Sequence, residues 1–347
     1  MQVFVSEYVC GGGWPGAEIS GSLATEGRAM LAAVVADLSR LENVSVVATW
    51  DRRLPPPPFP AGVTRLVDSP ADEARQFDHL VSTSDAVLVI APELGGTLLE
   101  RCRRVEQLGG RLLGPSSPAV ALCADKYQLA EHWRASGIST IPTCECGTPT
   151  ADSRPYFPFT FPAVLKPRHG AGSQDMHLVH SAAELTTRPE LAAMLADPKF
   201  IIQPYLEGTA CSVSLLISPD GRSVEPLLPG KQYVSSEDQF VYRGGQIPWS
   251  GDRAEQLQHA AFTACRGIPG LTGYVGVDLL IPTKAGRPPL VVEINPRLTT
   301  SYLGYRQATD DNLTVWMLYP EQFANPVRWK PGVVEFGADG QIVSRRN

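Results

Sequence analysis

What the chain lacks narrows its function first. None of its 347 residues form an apolar run long enough to span a bilayer, and no basic-then-apolar leader opens it. No membrane partner is expected, and a cytoplasmic location is the default. Positive charge is not in excess: 30 Lys and Arg face 36 Asp and Glu, for a net charge of −6. That argues against nucleic acid as a partner and leaves room only for a local basic pocket. The seven cysteines are scattered. Cys144 and Cys146 form a C-x-C, but no second Cys/His pair stands at zinc spacing, so reduced thiols in cores and loops are expected. There is no internal repeat and no Walker A loop. What is present is ordinary globular material, 43% hydrophobic and 19% charged, enough for two or three domains.

The first 115 residues alternate strand and helix. Gln2–Val9, Val44–Ala48 and Ala86–Ala91 read as strands, with a short one at Arg111–Leu113. Gly27–Leu41 has helical apolar spacing, with Thr25 as a candidate N-cap, and LLERCRRVEQL is a charged helix. PPPPFP, at 55–60, is a polyproline loop. Such alternation predicts a parallel sheet covered on both faces. Helices are expected at Ser117–Cys123 and Asp125–Ser136. After Pro142 strands dominate: Ala163–Lys166, Phe200–Gln203, Cys211–Ser218, Val224–Leu228, Tyr274–Ile281 and Leu290–Asn295, with a helix at Arg253–Cys265. This α+β texture begins a second unit between about 115 and 145.

YVCGGGWPG, at 8–16, satisfies G-x-G-x-x-G after an apolar strand. A dinucleotide fingerprint also needs a helix opening at the third glycine and an acid about 20 residues on. Pro15 and Gly21 interrupt that helix, and Asp51 lies too far downstream. The plainer reading is a loop at a strand's carboxyl end, where α/β sheets line ligand crevices. Glu7 and Tyr8 are then candidates to meet an amine or an aromatic ring.

Chemistry concentrates in GYVGVDLLIPTKAGRPPLVVEINPR, 273–297. A hairpin folded about the Ala285–Gly286 bond pairs Asp278 with Glu293 and puts Asn295 on the same face. Two carboxylates and an amide amid apolar strands suit magnesium shared with phosphate oxygens. The alternative is a solvated hairpin end, and a one-residue slip in register separates the pair. In FPAVLKPRHGAGSQ, Lys166 ends a strand before a glycine-bearing loop, either a phosphate cradle or a surface turn with a snorkelling lysine. In ADKYQLAEHW, Lys126 opens a helix, where a cation is disfavoured unless an anion sits beside it; otherwise it is an exposed lysine after an Asp125 N-cap. In IIQPYLEG a strand ends at Gln203–Pro204 with Glu207 close behind, so edge amides could read a base and an acid a ribose. Lys231, Gln232 and Arg243 remain open, between an acceptor site and a loop.

Taken in order, ADK, VLKP with GAGS, QPYLEG, VGVDLL and EINPR resemble the ATP-grasp superfamily from about Gly114 to Gly304. The resemblance implies an N-terminal Rossmann-like α/β domain (1–115), an ATP-grasp fold of two α+β subdomains (116–330) and a C-terminal extension (331–347). It implies ATP and Mg2+ as cofactors and an acyl-phosphate route to an amide from small-molecule carboxylate and amine substrates. By motif position, Lys126 and Lys166 would contact ATP phosphates, and Gly170, Ala171, Gly172 and Ser173 would form the closing loop. Gln203, Pro204, Tyr205 and Leu206 would flank adenine, and Glu207 would hold the ribose. Asp278, Glu293 and Asn295 would coordinate magnesium, and Arg297 would face the transferred phosphate. Gln203 departs from the acid common at that position. EYVCGGG and EINPRLTTSY look most like tyramine–glutamate ligases of methanofuran biosynthesis and related bacterial enzymes, which implies glutamate and tyramine as substrates. Other acids and amines, a non-catalytic ATP-binding module and a homodimer stay open.

Overall fold

The computed structural model describes residues 1–147, 158–170, 175–235 and 240–346. Its N-terminal part runs β1 (Gln2–Glu7), α1 (Gly21–Leu38), β2 (Ser45–Asp51), β3 (Thr64–Val67), α2 (Pro70–Thr83), β4 (Ala86–Ile90) and α3 (Thr97–Gln107). The strands form a parallel sheet in the order β3-β2-β1-β4, as the alternation predicts. The strand expected at Arg111–Leu113 is a single parallel bridge, Val87 to Leu112. Helix α1 starts at Gly21 with Ser20 as N-cap. Thr25 is therefore inside the helix, its hydroxyl donating back to the Gly21 carbonyl at 3.0 Å.

The chain continues through α4 (Ser117–Ala124), α5 (Lys126–Ala135), β5 (Cys144–Glu145), β6 (Ala163–Pro167), β7 (His177–Val179), α6 (Glu184–Thr187), α7 (Pro189–Leu195) and β8 (Phe200–Pro204). The four strands form a small antiparallel sheet, β5-β8-β6-β7, over its own core of Cys146, Ala163, Leu165, Val179, Leu185, Leu191 and Ile202. Next come β9 (Gly208–Ile217), β10 (Val224–Pro226), β11 (Gly230–Ser235), β12 (Val241–Ile247), α8 (Ala254–Arg266), β13 (Gly273–Pro282), β14 (Leu290–Asn295), α9 (Ser301–Ala308), α10 (Thr314–Leu318), β15 (Val333–Gly337) and β16 (Ile342–Arg346). These strands build one antiparallel sheet, β14-β13-β9-β11-β12-β15-β16, with β10 beside β9. Residues 333–346 thus extend this sheet.

Side-chain alternation gives the large sheet two covered faces. Val213, Leu215, Val275 and Val277 meet α4, α5 and α8 on one side. Leu216, Tyr274 and Phe336 meet α9, α10 and the N-terminal helix α1 on the other, in a core that also takes in Val3, Val5 and Trp50. Buried Asp37 of α1 ties the two parts by hydrogen bonds from the Tyr302 hydroxyl (2.6 Å) and the Arg306 guanidinium (2.7 and 3.0 Å).

The glycine-bearing loop after β1 is a compact turn over Val9–Gly13, buried throughout. Gly12 has φ 99°, and a Cβ there would stand 2.2 Å from Val67, so this turn needs glycine on both counts. Glu7 is 2% exposed and accepts the Cys10 N–H at 2.5 Å, with the backbone of Gly27 pressed against its carboxyl. Tyr8 stacks with Arg101, which is doubly bonded to Glu73 at 2.7 Å. Neither Glu7 nor Tyr8 lines the large cavity described below.

Candidate functional site

The hairpin β13–β14 delivers the chemistry. Val275, Val277 and Leu279 point into the helix-covered core, which leaves Gly276 and Asp278 on the opposite face. Asp278 pairs with Glu293 and Gly276 with Asn295, the register that the sequence predicts. Beyond Asp278 the register slips, and Leu279 pairs with Val291. A bulge at this point leaves the carboxylate pair intact and shifts only the rest of the hairpin.

Four side chains converge on this pair. Lys126, first residue of α5, places its Nζ 3.4 Å from Glu293 Oε2 and donates to the Gly170 carbonyl at 2.7 Å. Asp125 caps α5 through the Tyr127 and Gln128 N–H groups and grips Arg168 by two bonds of 2.8 Å, which ties the helix start to the end of β6. Lys166 of β6 is only 5% exposed, and its ammonium makes no hydrogen bond among the described residues. Asn295 and Gln232 donate amide hydrogens to the two oxygens of Asp278, at 3.0 and 2.8 Å.

The electrostatics follow from this crowding. Burial, then the Glu293 charge, pushes Asp278 up to about 7. Burial acts on Glu293 in the same sense, but the Lys126 and Lys166 ammoniums outweigh it and hold its carboxyl below the usual range. Burial, helped by Lys126, pulls Lys166 down to about 8 against the pull of Glu293 and Asp278. Like charges are thus gathered on both sides, a state that a polyanion and a divalent cation together would relieve. The oxygens of Asp278, Glu293 and Asn295 are the hard donors that magnesium prefers, so the residues fit that ion.

The cluster forms one wall of a cavity of about 800 Å³ between the small and large sheets. Lys126, Lys166, Gly170, Asp278 and Glu293 line it at one end, and Gln203, Pro204, Tyr205 and Leu206 line it elsewhere. The Tyr205 N–H is tied to the Pro162 carbonyl at 2.9 Å, and Pro204 has no N–H; the Leu206 N–H makes no bond among the described residues. Ala171, Gly172 and Ser173 lie outside the described residues. Glu207 is exposed and does not line the cavity, and neither Asn295 nor Arg297 is on its wall.

Arg297 is held by the N-terminal part. Its Nε and Nη2 donate to Glu93 at 3.1 and 3.0 Å, and Nη1 donates to the Leu298 carbonyl at 3.2 Å. A guanidinium has more N–H groups than these bonds use, so its Nη1/Nη2 end stays available. Glu93 is 5% exposed and sits just past β4, with no motif around it to mark it. Lys231, Gln232 and Arg243 do line the cavity, on β11 and β12. The period-two pattern of those strands could have decided between the acceptor site and the loop that the sequence left open for them, but the glycines of YRGGQI obscure it.

Residues 123–301 match the ATP-grasp domain, and residues 44–120 match the pre ATP-grasp 3 domain. The chain belongs to the ATP-grasp family. It is 28% identical over 222 residues to the tyramine–L-glutamate ligase of Methanocaldococcus fervens, a match covering 64% of this chain and 62% of that one. It thus spans about three-fifths of that relative's length. It is 30% identical over 270 residues to a D-alanine–D-alanine ligase of Anaeromyxobacter dehalogenans, covering 67% of this chain and 82% of that one. Among solved structures, one described as of the ATP-grasp superfamily, from Archaeoglobus fulgidus, superposes with a TM-score of 0.70 at 24% identity, over 96% of this chain and 92% of that one. That likeness concerns the fold. Among the described residues, no helix is long and apolar enough to cross a membrane.

Proposed function

We propose that this chain is an ATP-dependent carboxylate–amine ligase. The observation that carries this reading is the convergence of Lys126 and Lys166 on the Asp278–Glu293 pair, at the wall of a nucleotide-sized cavity. A carboxylate is a poor acyl donor at neutral pH. Transfer of the γ-phosphoryl group to one of its oxygens makes an acyl phosphate and releases ADP. The neutral amine nitrogen then forms a bond to the acyl carbon, the acyl C–O bond breaks with its electrons leaving on inorganic phosphate, and the nitrogen gives up one proton, which the departing phosphate takes.

The chain's residues suit the first step, which is mainly positioning and charge neutralisation. Lys126 and Lys166 meet the phosphates, and the lysine in the buried position keeps its charge once a polyanion is beside it. Arg297, fixed by Glu93, offers its free end to the transferred phosphoryl or the acyl phosphate. Magnesium held by Asp278, Glu293 and Asn295 would supply Lewis-acid charge at the phosphate oxygens. The small sheet would cover the nucleotide and exclude water, which an acyl phosphate requires.

The resemblance to tyramine–L-glutamate ligase makes glutamate and tyramine the first substrates to try. D-amino acids are a second reading, supported by the match to 82% of a D-alanine–D-alanine ligase. The test is ADP release from MgATP with the purified chain across a panel of acids and amines, with mass detection of the amide. Glutamate and tyramine should give γ-glutamyltyramine. Dipeptide from D-alanine favours the second reading, and tight ATP binding without turnover on any pair leaves only an ATP-binding module.

A further inference from the structure

The Gln203 side chain is 5% exposed, lines the cavity and donates from Nε2 to Thr143 Oγ1 at 2.7 Å. The orientation of a glutamine amide has to be read from its partners. Here the partners decide it. The Thr143 hydroxyl has a single hydrogen, and it goes to the Ile141 carbonyl at 3.0 Å. Toward Gln203 the hydroxyl can therefore only accept, so the amide must show it the NH2 group. The opposite orientation would claim the same hydrogen for Gln203 and take it from the carbonyl of Ile141, a residue only 7% exposed. Gln203 Oε1 is thereby left as an acceptor, with no hydrogen bond among the described residues. Along the same edge of the cavity the first unused backbone donor is the Leu206 N–H.

We propose that Thr143 sets the base selectivity of the nucleotide pocket by locking the Gln203 amide with its oxygen toward the base. This rests on the reading of the cavity as a nucleotide site. An acceptor on Gln203 and a donor three residues on, at Leu206, suit a purine with a 6-amino group and an unprotonated N1. A 6-oxo purine carries the reverse pattern, acceptor at position 6 and N–H at position 1, and meets the lock with two mismatched contacts. Thr143 touches no base itself and acts through Gln203; it is a positioning residue. A glutamine needs such a lock where a carboxylate would not, because only the amide can turn its donor into the pocket.

The test compares the full-length chain with Thr143→Val, Thr143→Ala and Thr143→Ser, titrating each calorimetrically with MgATP and MgITP. Inosine differs from adenosine at the positions in question and adds no 2-amino group. The wild type and Thr143→Ser should prefer ATP by roughly tenfold or more. Thr143→Val, which keeps the volume but not the hydroxyl, should lose most of that preference, partly through tighter ITP binding. Thr143→Ala gives the same reading should valine disturb the fold, and thermal melts report on that. A wild type that binds ATP and ITP equally, or a valine and an alanine variant that both keep the wild-type ratio, overturns the proposal. A wild type that binds neither nucleotide overturns the nucleotide site itself, and with it this inference.

Discussion

Glu7 and Asp278 are both carboxyls at strands, and burial pushes both up to about 7. Their company differs. Glu7 is closed over by Gly27, and its hydrogen-bond donors are the backbone N–H groups of the turn that follows. Asp278 faces a second carboxylate, two amides, two nearby lysines and an open cavity. The first is a structural acid that shapes a loop; the second belongs to a site. A perturbed acid marks a site only where other charges and a ligand-sized space are gathered around it.

The contrast can be broken most directly at the site. Glu293→Gln should cut ADP formation by roughly 10²–10³-fold while circular dichroism and melting stay near wild type. Lys166→Met should follow with a similar or smaller loss, seen both in turnover and in MgATP affinity. In the wild type, MgATP affinity should decline as pH rises through about 8, where the free Lys166 loses its proton. Lys166→Arg should move that decline to higher pH, and an unshifted profile would assign it to another group. Glu93→Gln, which leaves Arg297 in place but removes its charged partner, should lower turnover by about tenfold with little change in ATP affinity.

The smallest effect on activity is expected at Glu7. Its folded pKa lies above the unfolded value of 4.5, so its contribution is complete below that value and is lost as pH rises through about 7. From pH 5 to pH 8 the wild type should lose roughly 2–3 kcal/mol more unfolding free energy than Glu7→Gln, measured by urea titration. Turnover at pH 7 should barely change. If Glu7→Gln were as inactive as Glu293→Gln, the distinction between the two acids would collapse.

Much of the site was legible because strand alternation is a rigid rule. It placed Asp278, Glu293 and Asn295 on one face, although the pairs nearer the turn, Leu279–Val291 and Leu280–Leu290, sit one residue off a fold about Ala285–Gly286 and the bulge between Asp278 and Leu279 restores that register at the carboxylates. Lys126 and Lys166 were legible from their places at a helix start and a strand end. Gln232 and Arg243 were not, since their strands interleave glycine with polar residues and carry no clear apolar face. Glu93 was hidden for another reason: it joins Arg297 across 204 residues of sequence, a contact that no local pattern encodes. In the fold, the parallel sheet was readable from β1, β2 and β4. Helix α2 announces itself only through its Ser69 cap and Pro70, and the strands of 333–346 are too short and too exposed to carry a clear pattern.

The large sheet shares a continuous core with the N-terminal part, and Asp37 fastens them further, whereas the small sheet keeps a core of its own. The molecule therefore divides mechanically into a heavy jaw and a light one. Opening and closing over the nucleotide should swing the light jaw, with β6 and β8 carrying Lys166 and Gln203 along, while Glu293, Arg297 and Glu93 hold still as the anvil.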